Sequence, residues 1–256
     1  MGCGLCAEKK PPKWRVLNRL ALGTVQFGLN YGIANQQGQV SHDEAKTILE
    51  HARSSGMDTL DTAIAYGDSE QRLGEIGVPQ WHVVSKLPSV PEDCPDIAAW
   101  VGTSVAASLQ RLQVNQLRGL LLHRPDQLLG AQGDALYAAL IQLKDDGLVQ
   151  KIGVSIYEPE ELNALYVKFS FDMVQTPFNI LDRRMIDSGW LARLSKQGTE
   201  VHVRSVFLQG LLLMQPADRP EKFNRWQPLW KYWLHWLAEA KLTPLQACLR
   251  YTLAQP

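Results

Sequence analysis

Residues 118–156, RGLLLHRPDQLLGAQGDALYAALIQLKDDGLVQKIGVSI, contain the pattern that decides the fold. Two short apolar runs, 118–123 and 151–156, flank an amphipathic stretch over 134–146. Two strand-like runs joined through a helix by short connections are typical of parallel strands with a crossover helix. This stretch therefore predicts one βαβ unit of an α/β domain.

The same alternation continues along the chain on both sides of this unit. The predicted strands cover 20–27, 58–62, 82–87, 118–123, 151–156, 172–177 and 200–207. The predicted helices between them cover 42–55, 69–76, 96–112, 134–146, 158–168 and 188–197. Seven such strands without a domain-boundary linker favour a (β/α)8 TIM barrel over a doubly wound sheet.

Two helical segments carry specific signals. Ser41 and Glu44 have the spacing of a capping box at the start of the first predicted helix, and Gly56 suits its end. A second segment, 226–240, has four tryptophans at helical spacing, which favours a packing face, with a share in a substrate rim as the alternative. These residues are Trp226, Trp230, Trp233 and Trp236.

An eight-stranded barrel needs one more βα unit than the sequence contains. The chain stops at Pro256, just after a helical stretch over 243–254 that should lead into strand eight. We therefore expect a barrel truncated before its eighth strand, with the last helix only partly buried and cofactor binding weakened. In this view residues 1–19 form a disordered N-terminal tail, and 20–256 form the C-terminally incomplete barrel domain.

The composition argues against several classes of partner. The 256 residues include 26 basic and 26 acidic side chains, so no overall field attracts nucleic acid or an anionic membrane. No segment approaches the ~20 apolar residues of a membrane span, and the polar N-terminus is not a secretory signal. Four irregularly spaced cysteines indicate reduced thiols in a cytoplasmic protein. Cys3 and Cys6 alone are too few ligands for a metal site, so none is expected. The oligomeric state stays open.

A single polar residue stands at the end of each strand from the second to the seventh. These residues are Asp61, Lys86, His123, Ser155, Gln175 and Arg204. Active sites of parallel barrels gather at the carboxyl ends of the strands, so we expect these side chains to ring one mouth. Taken singly, Asp61 and Lys86 could be a structural ion pair, His123 a core histidine, and Ser155 and Gln175 capping residues.

Residues 61–70, DTAIAYGDSE, resemble the D-T-A-x-x-Y-G-x-S-E signature of the aldo-keto reductases. Lys86 and His123 match the family's other two catalytic positions. The blocks 153–155 (GVS) and 209–212 (QGLL), together with Gln175, are also similar to family blocks. The likeness runs from about residue 20 to the end of the chain.

The resemblance implies reduction of a carbonyl compound (an aldehyde, a ketone or a sugar) by hydride transfer from NAD(P)H. Tyr66 would donate the proton to the developing alkoxide, and the Lys86 ammonium would lower the pKa of that phenol. Asp61 would orient Lys86, while His123 would donate a hydrogen bond to the carbonyl oxygen. The partner is thus a small carbonyl substrate.

The resemblance also implies cofactor contacts. Ser155 and Gln175 match positions that bind the nicotinamide carboxamide, and Gln209 and Gly210 lie in a cofactor-binding block. Arg204 replaces an aromatic ring that stacks on the nicotinamide; its charge would oppose the oxidised ring and favour the reduced cofactor. NADP is the expected cofactor. NAD remains open, because the family recognises the adenosine 2′-phosphate after strand eight.

Two other functions fit a barrel of this kind. One is a cofactor-binding regulatory or inactive barrel without useful turnover; the complete tetrad argues against it and the missing strand argues for it. The other is an isomerase on the same fold, but the phosphate-binding loop that such enzymes often carry after strand seven is lacking.

Overall fold

The structure is a computed structural model that describes residues 19–256. The predicted N-terminal tail, apart from Arg19, and the Cys3–Cys6 pair lie outside the described residues. The Arg19 guanidinium donates hydrogen bonds to the carbonyl oxygens of Leu253 and Gln255, at 2.9 and 3.0 Å. The start of the described chain is thus joined to the end of its last helix.

All seven predicted strands are present and form one parallel sheet in chain order. The strands are β1 (Ala21–Gly23), β2 (Thr59–Asp61), β3 (His82–Leu87), β4 (Gly119–Leu122), β5 (Ile152–Ser155), β6 (Met173–Pro177) and β7 (Glu200–Arg204). The α-helices are α1 (Val25–Gly28), α2 (His42–Ser54), α3 (Ser69–Ile76), α4 (Ile97–Leu112), α5 (Gly133–Asp145), α6 (Glu161–Lys168), α7 (Arg184–Asp187), α8 (Trp190–Gln197), α9 (Gln227–Ala240) and α10 (Pro244–Leu253). The alternation confirms the predicted (β/α) barrel.

The sheet is a barrel that lacks its eighth strand. Within residues 19–256, β1 pairs only with β2 and β7 pairs only with β6, so both outer strands keep one open edge. The register aligns Ser155 with Gln175 and Gln175 with His202. Neighbouring strands therefore present their carboxyl-terminal residues at one common rim.

Side chains alternate between the inside of the barrel and the layer beneath the helices. Val84, Leu121 and Met173 form a small apolar cluster of their own, each two residues before a polar strand-end residue on the same face. On β7, the apolar residues Val201 and Val203 pack against the outer core and alternate with the polar residues Glu200, His202 and Arg204. Residues of both kinds line the inner cavity along this strand.

The helices follow the sequence signals closely. The Ser41 hydroxyl accepts a hydrogen bond from the Glu44 backbone N–H, and Gly56 has the positive φ of a helix stop. On α9, Trp230 and Trp233 are buried, which confirms a packing face. On α10, Leu245 is 49% exposed while Cys248 is buried, so its apolar face is only partly covered, as expected.

Among residues 19–256, none of the helices combines the length and the apolar character that crossing a bilayer requires.

Candidate active site

Four side chains meet at the carboxyl end of the barrel. The Lys86 Nζ atom lies 2.8 Å from Asp61 Oδ1 and donates a second hydrogen bond to the Thr62 carbonyl oxygen, also at 2.8 Å. The same Nζ atom stands 4.9 Å from the centre of the Tyr66 ring. The His123 ring meets that of Tyr66 edge to face, with 6.0 Å between centroids.

The loop after β2 holds Tyr66 through a close approach of two glycines. A Cβ atom on Gly28 would stand 1.7 Å from the Tyr66 carbonyl oxygen, so helix α1 packs directly on this loop. Gly67 has φ +56° and also faces the Gly28 backbone. The Tyr66 carbonyl oxygen accepts a hydrogen bond from the Ser69 N–H, which begins α3. Only glycine fits both positions without moving the Tyr66 backbone.

Glu70 at the end of the signature has a structural place. Its carboxylate is 1% exposed and accepts hydrogen bonds from Ser85 at 2.6 Å and Ser108 at 2.7 Å. Arg111 adds two further donors, at 3.0 and 2.6 Å. This carboxylate joins α3 to β3 and α4, directly behind the loop that carries Tyr66.

Gln175 connects the neighbouring strands to Asp61. Its Nε2 atom donates to Asp61 Oδ1 at 2.7 Å, and its Oε1 atom accepts from the Ser155 hydroxyl at 3.2 Å. Ser155 and Gln175 are each 2% exposed. The polar residues of β5 and β6 therefore form one hydrogen-bonded chain with Asp61 and Lys86.

The cavity environment shifts the pKa values of three groups. Burial raises the pKa of the Tyr66 phenol and the Asp61 charge adds to this, while the Arg204 charge opposes it. Burial lowers the pKa of His123, and the charges of Lys86 and Arg204 lower it further. Burial also lowers the pKa of Lys86, against the attraction of Asp61. The net direction for Tyr66 is opposite to the expected lowering, because burial outweighs the nearby positive charge.

Arg204 is fixed at the end of β7. Its Nη2 atom donates to the Ile156 carbonyl oxygen at 3.0 Å, and its guanidinium carbon lies 4.4 Å from the centre of the Tyr157 ring. Both contacts come from the end of β5, on the far side of β6. The guanidinium therefore lies across the inner face of the mouth.

The segment after β7 has an unusual backbone. Ser205, Leu208 and Gln209 have φ between +50° and +62°, and Gly210 has φ +87°. The Gln209 carbonyl oxygen accepts a hydrogen bond from Ala34 N–H at 3.2 Å, which joins this segment to the loop after β1. Within the described part of the chain, the N–H groups of Gln209 and Gly210 donate to no protein acceptor. These two N–H groups are therefore available to a bound molecule.

A single large cavity joins these features. It measures about 1480 Å³ and extends along the inner face of β7 toward the opposite end of the barrel. Of the predicted site residues it is lined by Asp61, Tyr66, His123, Ser155, Gln175, Arg204, Gln209 and Gly210. Lys86 lies behind this wall and is 1% exposed.

The match to a known protein family identifies the family to which the chain belongs. The family model described as the aldo/keto reductase family matches residues 19–256. The chain belongs to this family.

Individual relatives agree with the family assignment. An oxidoreductase of Bacillus subtilis, YqkF, is 23% identical over 94% of this chain and 84% of its own length. An aldo-keto reductase of Mycobacterium sp. (strain KMS) is 30% identical over 50% of this chain and 46% of its own length. The chain thus spans about half the length of that mycobacterial relative.

Two solved structures share the fold. A glycerol dehydrogenase from Gluconobacter oxydans superimposes with a TM-score of 0.70 at 22% identity, over 93% of this chain and 79% of that protein. An aldo-keto reductase from Bacillus halodurans gives a TM-score of 0.63 at 23% identity, over 79% and 66%.

The structure of this aldo/keto reductase family member brings the nine predicted site residues to one end of the barrel. Three contributors were not predicted. Tyr157 supports Arg204, Arg111 holds Glu70, and the Thr24 N–H and hydroxyl both donate to the Asp61 carbonyl oxygen, at 2.9 and 3.0 Å. Each of them acts between elements that are distant in sequence. Only Tyr157 had a local sequence signal, because it is a polar aromatic residue two positions after the end of the buried strand β5.

Proposed function

We propose that this protein reduces the carbonyl group of a small aldehyde, ketone or sugar with a reduced nicotinamide cofactor, and that Tyr66 donates the proton. The observation that carries the proposal is the contact of a buried Lys86–Asp61 pair with the Tyr66 ring at the wall of a large cavity. We also propose a cytoplasmic location; the two described cysteines, Cys94 and Cys248, are free thiols.

The side chains have the chemistry that proton transfer to an alkoxide needs. Because burial raises the pKa of Tyr66, the phenol keeps its proton at neutral pH and is available as a general acid. The Lys86 ammonium beside the ring stabilises the phenolate that remains after transfer. His123, whose pKa is lowered, is neutral and donates a ring N–H to the carbonyl oxygen.

The residues present fit a nicotinamide dinucleotide. Ser155 and Gln175 offer a buried hydroxyl and amide for a carboxamide, and Arg204 offers a planar cation beside them. The N–H groups of Gln209 and Gly210 suit a phosphate. When bound, the reduced cofactor supplies a hydride to the carbonyl carbon. We propose that NADP is the cofactor, and its affinity is to be compared with that of NAD.

The test compares the protein with Tyr66→Phe, which keeps the ring and removes only the transferable proton. We expect turnover of an aldehyde panel to fall roughly 10²–10⁴-fold, measured from the absorbance of the reduced cofactor. Cofactor affinity, measured by fluorescence titration, should stay unchanged. Tyr232→Phe is the matched control, since Tyr232 is 66% exposed on α9 and should keep full activity.

Two results would contradict this proposal. Full turnover by Tyr66→Phe would remove Tyr66 from its role as proton donor. Tight cofactor binding by the unaltered protein, without reduction of any carbonyl compound, would favour a regulatory cofactor-binding barrel.

A further inference from the structure

The charges that line the cavity do not balance. Its two acidic residues, Asp61 and Glu200, are each paired: Asp61 with Lys86 at 2.8 Å, and Glu200 with Arg118 at 3.1 Å and with Lys151. Two arginines of the same cavity form no ion pair with any carboxylate of residues 19–256: Arg19, which donates to the carbonyl oxygens of Leu253 and Gln255 at the opposite end, and Arg204 at the catalytic end. The catalytic end of the cavity therefore has one uncompensated positive charge.

The guanidinium of Arg204 is held in place but not saturated. One of its five N–H donors bonds to the Ile156 carbonyl oxygen, and its plane rests near the Tyr157 ring. Four donors remain for other partners. Holding the group with neutral contacts leaves its charge available, and a fixed planar fork suits the two oxygens of a carboxylate or phosphate.

This charge acts at the place where the carbonyl compound is expected to react. Arg204 lines the same cavity as Tyr66 and His123. Its positive charge opposes the rise in the pKa of Tyr66 and adds to the lowering of the pKa of Lys86 and of His123. The nearby rim is otherwise neutral, with Gln26, Gln37 and Tyr31 among its residues. An anionic group in this part of the cavity meets Arg204 as its only unpaired cation among the described residues.

We propose that Arg204 binds an anionic group of the carbonyl substrate, a carboxylate or a phosphate, and so makes the protein selective for acidic aldehydes or ketones. This inference rests on the proposed reductase function and adds the substrate class. It also gives Arg204 a role beyond stacking on the cofactor.

The experiment uses pairs of substrates that share a carbon skeleton and differ in charge. 4-Carboxybenzaldehyde and its neutral methyl ester form the carboxylate pair; glyceraldehyde 3-phosphate and glyceraldehyde form the phosphate pair. We expect the unaltered protein to prefer the anionic member of at least one pair in kcat/KM. Arg204→Gln should reduce that preference, taken as the ratio of kcat/KM for the anionic member to kcat/KM for the neutral member at saturating cofactor, about tenfold to a hundredfold, the range for a hydrogen-bonded charge pair. Arg204→Lys should keep part of it.

Arg124→Gln is the matched control. Arg124 follows His123 directly but is 63% exposed and pairs with Asp126, so the same loss of charge occurs outside the cavity. The Arg124→Gln variant should prefer the anionic substrates by the same factor in kcat/KM as the unaltered protein. Melting curves of all variants establish that they are folded.

A second measurement separates this inference from the proposed function. Calorimetric binding of 4-(hydroxymethyl)benzoate, compared with its methyl ester, needs no turnover and should weaken only in Arg204→Gln. If no carbonyl compound is reduced but this binding difference persists, the proposed function fails and the anion site stands. If Arg204→Gln leaves the preference and the binding unchanged, the anion site is wrong. It is also wrong if cofactor affinity and both substrates of each pair decline equally.

Discussion

Replacing Lys86 with methionine tests the central ion pair. Lys86 is 1% exposed and Asp61 17%, so the substitution leaves the Asp61 carboxylate buried without its cation. Breaking a buried pair on one side costs about 3–5 kcal/mol of the free energy of unfolding. Gln175 still donates to Asp61 Oδ1 at 2.7 Å, so we expect a loss near 3 kcal/mol, at the low end. Urea denaturation followed by tryptophan fluorescence measures it.

The double variant Lys86→Met with Asp61→Asn provides the control. It removes both charges, and replacing a buried pair with neutral groups is often nearly neutral for stability. We therefore expect it to recover most of the stability and none of the activity. A loss below about 1 kcal/mol in the single variant, or no recovery in the double variant, would refute this account of the pair.

The single variant Lys86→Met should also change the pH dependence of kcat/KM. Burial and Asp61 already raise the pKa of Tyr66, and without the Lys86 charge the pKa should rise further. Because the acid must be protonated, the decline of kcat/KM at alkaline pH should move to higher pH, while the plateau falls. Superimposable profiles of the two proteins would show that Lys86 and Tyr66 are not coupled.

Three further predictions concern the scaffold of the site. Gly28→Ala places a Cβ atom 1.7 Å from the Tyr66 carbonyl oxygen and should lower the free energy of unfolding in urea by about 3 kcal/mol or more. Gly102→Ala is the control: it has open space on α4 and should raise the free energy of unfolding by about 0.5–1 kcal/mol. Equal effects of the two substitutions would contradict the close approach. Glu70→Gln should lower the free energy of unfolding by about 2 kcal/mol, because the buried Glu70 carboxylate accepts its hydrogen bonds as a charged group. An unchanged urea midpoint would count against this. Hydrogen bonds from His202, then from Lys151, lower the pKa of Glu200 from 4.5 to about 2. Its contribution is therefore complete above pH 4.5 and is lost as pH falls toward 2, so the melting temperature of Glu200→Gln should depend less on pH in that window; identical acid dependence would contradict it.

Local periodicity predicted the strands and most helices because each is encoded within its own segment. The first strand is the instructive exception. The apolar run 20–27 predicts a strand through Phe27, but β1 ends at Gly23 and α1 follows. The cause is remote: Thr24 donates to the Asp61 carbonyl oxygen, and Gly28 must pack against Tyr66. A pattern confined to one segment does not contain these contacts.

The end of β7 shows the same limit. The apolar pattern extends the strand to 207, whereas the structure ends it at Arg204, where Ser205 takes a positive φ. Most residues of the candidate site were predictable because they stand at or just after the carboxyl end of a strand and match a family position. The sign of the Tyr66 pKa shift was not, because it depends on how deeply the folded chain buries the ring.

Asp61 explains why these residues must be placed together. Its Oδ1 atom accepts from both Lys86 and Gln175, and its carbonyl oxygen accepts from Thr24. Lys86 in turn lies against the ring of Tyr66, the proposed proton donor, and Gln175 accepts a hydrogen bond from Ser155. One carboxylate oxygen thus connects the proton-transferring side of the mouth with the proposed nicotinamide side. A one-residue shift in the register of β6 would turn Gln175 to the outer face and break this connection, because strand side chains alternate. The parallel register therefore determines the chemistry of the site as directly as the identity of its residues.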